Sequence, residues 1–168
     1  MTDFSVSVDV NSARDGGIWL RAGPDASSVG VTGVLLIFLN DALHPNALFW
    51  HEVKVPNGPP NDYGTELNTV TTLPLGNFSL RIDVQGDLYS AYLNGSTTPA
   101  TTFVSSLFAS GYTGVYDHDV FNNGAQSFDN FLVTAETPLP AALPLFASGS
   151  ALLGFLGWRR KRTAIATA

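Results

Sequence analysis

The sequence predicts an all-β, antiparallel sandwich followed by a single C-terminal transmembrane helix. Three observations carry this. Short segments of apolar and polar alternation recur from residue 4 to residue 135, separated by Gly, Pro, Asn and Asp. No stretch before residue 138 has a useful helical period. Residues 138–158 contain no charged side chain and run directly into Arg159, Arg160, Lys161 and Arg162.

Taken in order, Phe4, Val6, Val8 and Val10 alternate with Ser5, Ser7 and Asp9, the pattern of a half-buried strand. "NSARDGG" (11–17) reads as a turn and "IWLRA" (18–22) as a second strand. "VTGVLLIFL" (31–39) is apolar on both faces, which fits a central strand covered on two sides. "NDALHPN" turns the chain into "ALFWHEVKV" (47–55). "PNGPPNDYG" (56–64) has three prolines and two glycines and reads as a long surface loop. Phe78, Leu80, Ile82 and Val84 then alternate with Ser79, Arg81 and Asp83. Gln85-Gly86 makes a tight turn into "DLYSAYL" (87–93), and Asn94-Gly95 is a strong hairpin signal. "TTFVSSLF", "GYTGVY" and "SFDNFLVTA" complete about nine or ten strands, at the spacing of a sandwich. There are no cysteines, so disulfide scaffolds, thiolate metal sites and cysteine nucleophiles are excluded.

The strand–turn–strand "FSLRIDVQGDLYSAYLNG", followed by "GYTGVYD" and "QSFDNFLVT", resembles the concanavalin A-like (laminin G-like) jelly-roll superfamily over residues 3–135. "DGGIWLRAG" and "GVLLIFL" fit its earlier strands. That fold serves lectins, glycanases and adhesive modules alike, so it implies an architecture and leaves the ligand open.

The tail reads separately. Leu139 to Trp158 is a 20-residue run, enough to cross ~30 Å of hydrocarbon at ~1.5 Å per residue. Trp158 suits the interface, and the four basic residues suit a stop-transfer cluster held in the cytoplasm. Motif, span and cluster together resemble a PEP-CTERM sorting signal of Gram-negative bacteria. The motif is Pro138, Leu139, Pro140, Ala141 and Ala142, with Leu139 where the family has glutamate. The resemblance implies transient anchoring in the inner membrane, recognition by an exosortase, and delivery to the cell surface or exopolysaccharide matrix. The expected organisation is a sandwich over 1–135, a sorting signal over 136–162 with its helix at 139–158, and a tail over 163–168. Proteins so sorted carry a signal peptide, and "MTDFSVSVDV" is none, so a truncated or misassigned start is expected.

Charge and chemistry narrow the function. Four cations against fourteen acids leave the body at −10, while the tail carries +4. An acidic body does not suit nucleic acid. The glycanase branch of the superfamily carries Glu-x-Asp-x-x-Glu on one strand, and this chain has only the dispersed Glu52, Glu66 and Glu136. His44, His51 and His118 lack metal-ligand spacing, and no Gly-x-Ser-x-Gly occurs. Trp50, Tyr89, Tyr92 and Tyr116 are the aromatic candidates for glycan contact, although most aromatics in a sandwich are core. Asp117, Asp119, Asn122 and Asp129 place hard oxygen donors near one Gly-bearing loop, which makes calcium the one cofactor suggested. Asx-turns with solvated carboxylates account for the same residues. The expectation is a non-enzymatic exported surface or matrix protein, carbohydrate-binding or matrix-structural. The alternative is a diverged glycoside hydrolase of the same superfamily.

Overall fold

The computed structural model describes residues 2–23, 31–40, 43–54, 66–71, 76–118 and 126–135. The loop at 56–64, Asp119, Asn122, the 138–142 motif, the 139–158 span and the 159–162 cluster lie outside them. The chain divides into two units, Met1–Glu136 and Thr137–Ala168, and the described residues belong to the first. No helix among the described residues is long and apolar enough to cross a membrane.

The described strands are β1 (Phe4–Ala13), β2 (Asp15–Ala22), β3 (Gly33–Leu39), β4 (Ala47–Val53), β5 (Leu67–Val70), β6 (Gly76–Gln85), β7 (Leu88–Leu93), β8 (Thr101–Val104), β9 (Tyr112–Asp117) and β10 (Ser127–Ala135). They form two five-stranded sheets, ordered β10-β1-β6-β7-β8 and β5-β4-β3-β2-β9, with every pairing antiparallel. The all-β sandwich expected from the alternation is what forms.

Period two explains the core. Phe4, Val6, Val8 and Val10 of β1 and Phe78, Leu80, Ile82 and Val84 of β6 all point inward and are buried. Ile18, Leu20, Val34, Leu36, Phe38, Leu48 and Trp50 meet them from the second sheet. That sheet has a second buried face, made of Leu35, Ile37, Ala47 and Phe49. The prediction that β3 is covered on both sides therefore holds, with six of its seven residues buried.

Three local readings change. Residues 15–17 are strand rather than turn. A Cβ on Gly17 would sit 2.2 Å from the Leu36 carbonyl oxygen, so this glycine marks a close approach of backbones. Asn94-Gly95, with φ of 52° and 72°, does turn the chain, but the β7–β8 return takes residues 94–100 rather than two. The Asn94 N–H donates to the Ser79 carbonyl at 2.9 Å and its Oδ1 accepts the Ser79 N–H at 3.0 Å, which ties it to β6 instead. Finally, the short strand β5 gave no alternation signal. It closes the sandwich edge through side chains: Thr101 Oγ1 donates to the Asn68 carbonyl at 3.0 Å, and Asn68 Nδ2 donates to the Thr102 carbonyl at 2.6 Å.

Glu52 links β4 to the end of β8. Ser105 Oγ donates to its Oε1, and Lys54 Nζ lies 2.9 Å from Oε2. Desolvation pushes this carboxyl up, but the bonds from Lys54 and Ser105 and the Lys54 charge together outweigh it and hold it below its ordinary value. A carboxyl that is more acidic folded than unfolded adds stability above the unfolded value of about 4.3, and loses it as pH falls through the lower folded value. Urea melts stepped down from pH 6 to pH 3 should therefore cost the wild type more stability than Glu52→Gln. Parallel pH profiles for the two proteins would remove this role.

Candidate functional site

The open polar surface lies on the outer face of the first sheet. Because its inward residues alternate with polar ones, pairing lines the polar ones up in rows. Ser5 sits beside Asp83 and Thr134, Ser7 beside Arg81 and Leu132, and Asp9 beside Ser79 and Asp129. Arg81 in turn pairs with Tyr92. The second sheet's outward Leu35, Ile37 and Phe49 are apolar and buried.

Two adjoining clefts cross this face. The larger, about 370 Å³, is lined by Asp9, Asn11, Asn77, Ser79, Asn94, Asp129 and Asn130. The smaller, about 280 Å³, is lined by Ser7, Arg81, Tyr92 and Ser96, and shares Asp9, Ser79 and Asn130 with the first. A β-bulge shapes the junction. The β1–β10 register shifts between Ser7 and Asp9, and Asn130 takes a left-handed φ of 53°, which asparagine tolerates well.

The polar groups are tied in place. Asn130 Nδ2 donates to Asp9 Oδ2 at 2.7 Å, and Asn11 Nδ2 donates to Asp129 Oδ2 at 2.7 Å. Asn77 Oδ1 accepts the Ser12 N–H at 3.0 Å. The Arg81 guanidinium lies 4.2 Å from the Tyr92 ring centroid, and its Nε is 3.3 Å from Asp83 Oδ1, which also accepts from Ser5 Oγ at 2.8 Å. Carboxylates, amides and hydroxyls fixed beside an aromatic ring can hydrogen-bond a polyol and pack against its C–H face.

Of the four aromatic candidates, Tyr92 lines the cleft. Trp50 and Tyr89 do not reach solvent, both being 0% exposed, and this corrects their assignment as glycan contacts. Trp50 stacks on Phe103 at 5.8 Å and 18°, meets Tyr89 at 6.0 Å, and donates from Nε1 to Thr101 Oγ1 at 3.2 Å. Their alternation phase points them between the sheets. Tyr116 belongs to the second sheet, edge-on to Trp19 at 6.5 Å and stacked on His118 at 6.1 Å. His51 is buried, with its ring 5.2 Å from that of Phe49.

The calcium candidates that are described stand on different sheets, Asp117 on β9 and Asp129 on β10. Asp117 Oδ1 accepts from Gln126 Nε2 at 2.9 Å, while Asp129 is held by Asn11. Among the described residues no group of three His, Cys, Asp or Glu could hold a metal ion. Sequence reasoning missed Asp9, Asn77, Arg81, Asn94 and Asn130 as cleft residues. All but Asn94 fall in the strands, and the available signal was their outward phase in the alternation.

No family model matches the chain, and no curated protein matches it. Among solved structures it is similar to the carbohydrate-binding module CBM66 from Bacillus subtilis, with TM-score 0.60 and 19% identity, over 80% of this chain and 76% of that one. It is similar to the sucrose-6-phosphate hydrolase from Lactobacillus gasseri at TM-score 0.54 and 18% identity, covering 82% of this chain but 25% of the enzyme. The Emp47p carbohydrate recognition domain matches at TM-score 0.52 and 18% identity, over 82% of this chain and 73% of that domain. At these identities the likeness establishes the fold, a two-sheet antiparallel jelly roll.

Proposed function

We propose that the chain is a non-catalytic carbohydrate-binding sandwich that works at the cell surface or in the exopolysaccharide matrix. The observation that carries the binding reading is the pair of adjoining clefts, where Tyr92 stands beside Asp9, Ser79 and Asn130. The carbohydrate-binding module and recognition domain that share the fold support it. Retention of the full chain on immobilised polysaccharides tests it. Tyr92→Ala should weaken binding about tenfold by removing the ring a sugar would pack on. A chain retained by no polymer would sink the reading.

A second reading, a diverged glycoside hydrolase, has one observation in its favour: Asp9 and Asp129 are cross-strand partners in the larger cleft. Glycoside hydrolysis needs one carboxyl kept protonated, usually by an apolar pocket. Here each carboxylate instead accepts an amide N–H in an open cleft. Release of reducing sugar by the wild type, abolished in Asp9→Asn, would favour the enzyme.

The tail supplies the address in this proposal. Residues 138–142 are the exosortase motif, 139–158 the transient inner-membrane anchor, and 159–162 the stop-transfer cluster. Expressed behind a signal peptide in an exporting host, the full chain should fractionate with membranes. Neutralising 159–162 should release it, and unchanged fractionation would contradict the anchor.

A further inference from the structure

Resting on the carbohydrate reading, we propose that the larger cleft selects uncharged sugars by their vicinal hydroxyls and rejects polymers that carry carboxylate or sulfate. Among the described residues, the charged side chains lining it are Asp9 and Asp129, and no cation lines it. The two are directly opposed on antiparallel strands, an arrangement of like charges that is unfavourable unless something sits between or around them. Asn130 and Asn11 each donate to one Oδ2, at 2.7 Å in both cases. No group among the described residues donates to either Oδ1, so each of the two carboxylates lining the cleft keeps acceptor capacity.

Neighbouring hydroxyls of a neutral sugar offer two O–H donors to such a pair without adding charge. A uronate or sulfate ester would bring a third negative charge to the same place. Arg81 lines the adjoining smaller cleft, where it lies over Tyr92 and is engaged by Asp83. It is half-exposed, so its field across the face is screened by water.

Matched neutral and sulfated forms of the same glucan, mannan and galactan test this with the full chain by affinity electrophoresis, alongside alginate as a uronate polymer. The expected result is retardation by at least one neutral polymer, with its sulfated form and alginate at least tenfold weaker at low salt. Raising the salt should leave neutral binding unchanged and narrow the gap. The double substitution Asp9→Asn/Asp129→Asn should weaken neutral binding while removing the discrimination. Where that variant melts below the wild type, the salt series on the wild type decides alone. Equal or stronger retardation by sulfated polymers or alginate would overturn the selectivity and leave carbohydrate binding standing. Retardation by none would overturn both.

Discussion

Replacing Trp50 by alanine is expected to destabilise the sandwich by about 4 kcal/mol, lowering its melting temperature by about 12–15 °C for a body of this size. The side chain is fully buried, and no rearrangement of a single neighbour can refill its volume. Phe103 would lose its stacking partner, Tyr89 its edge contact, and Thr101 Oγ1 the indole donor. Trp50→Phe keeps an aromatic ring between the sheets and should cost about half as much. Denaturant melts of the three proteins measure this. The same proteins address function: because Trp50 lies in the core, Trp50→Phe should bind polysaccharide as the wild type does. A variant of wild-type stability that no longer binds would return Trp50 to the surface as a ligand contact.

The second large effect is expected at Arg21. This side chain is 2% exposed, and no carboxylate among the described residues pairs with it. Its guanidinium donates instead to the carbonyls of Phe108 at 2.8 Å and Gly86 at 2.7 Å, to the Thr2 carbonyl, and to Tyr89 Oη at 3.2 Å. One residue of β2 thereby pins the chain start, the β6–β7 turn and the segment between β8 and β9. Methionine would fill much of the space but leave those oxygens without a donor, at an expected cost of about 3 kcal/mol. The backbone adds a control. Arg21 has a φ of 49°, where a Cβ is strained and glycine is not. Arg21→Gly should therefore be about 1 kcal/mol more stable than Arg21→Ala, although both lose the guanidinium. Melts of Arg21→Met within about 0.5 kcal/mol of wild type would show that water satisfies these carbonyls instead.

Both residues illustrate how far local pattern reaches. Alternation in β1 and β6 is a property of consecutive residues, and a sheet with one buried face must honour it, so those strands and their inward set were legible at once. The double apolar face of "GVLLIFL" likewise required cover on both sides. Glycines were harder, because the same residue serves a turn or a close approach. Gly17 is in β2 because the Leu36 carbonyl of β3 lies against it. The four-residue β5, Leu-Asn-Thr-Val, does not alternate and had no pattern to read.

What the sequence by itself determined is the all-β class, the inward residues of the long strands, the acidic body and the separate apolar, basic-ended tail. Each follows from periodicity or composition, which neighbours along the chain suffice to express. The tertiary structure alone decided which aromatics meet solvent and what stands beside them. Tyr89 and Tyr92 are three residues apart on one strand, so one points between the sheets and the other into the cleft. Asp9 and Asn130 are 121 residues apart, and a bulge in β1–β10 pairing brings them within 2.7 Å. A site built from such pairings depends on register between distant strands, and register is set by packing the whole sandwich rather than by any stretch of it.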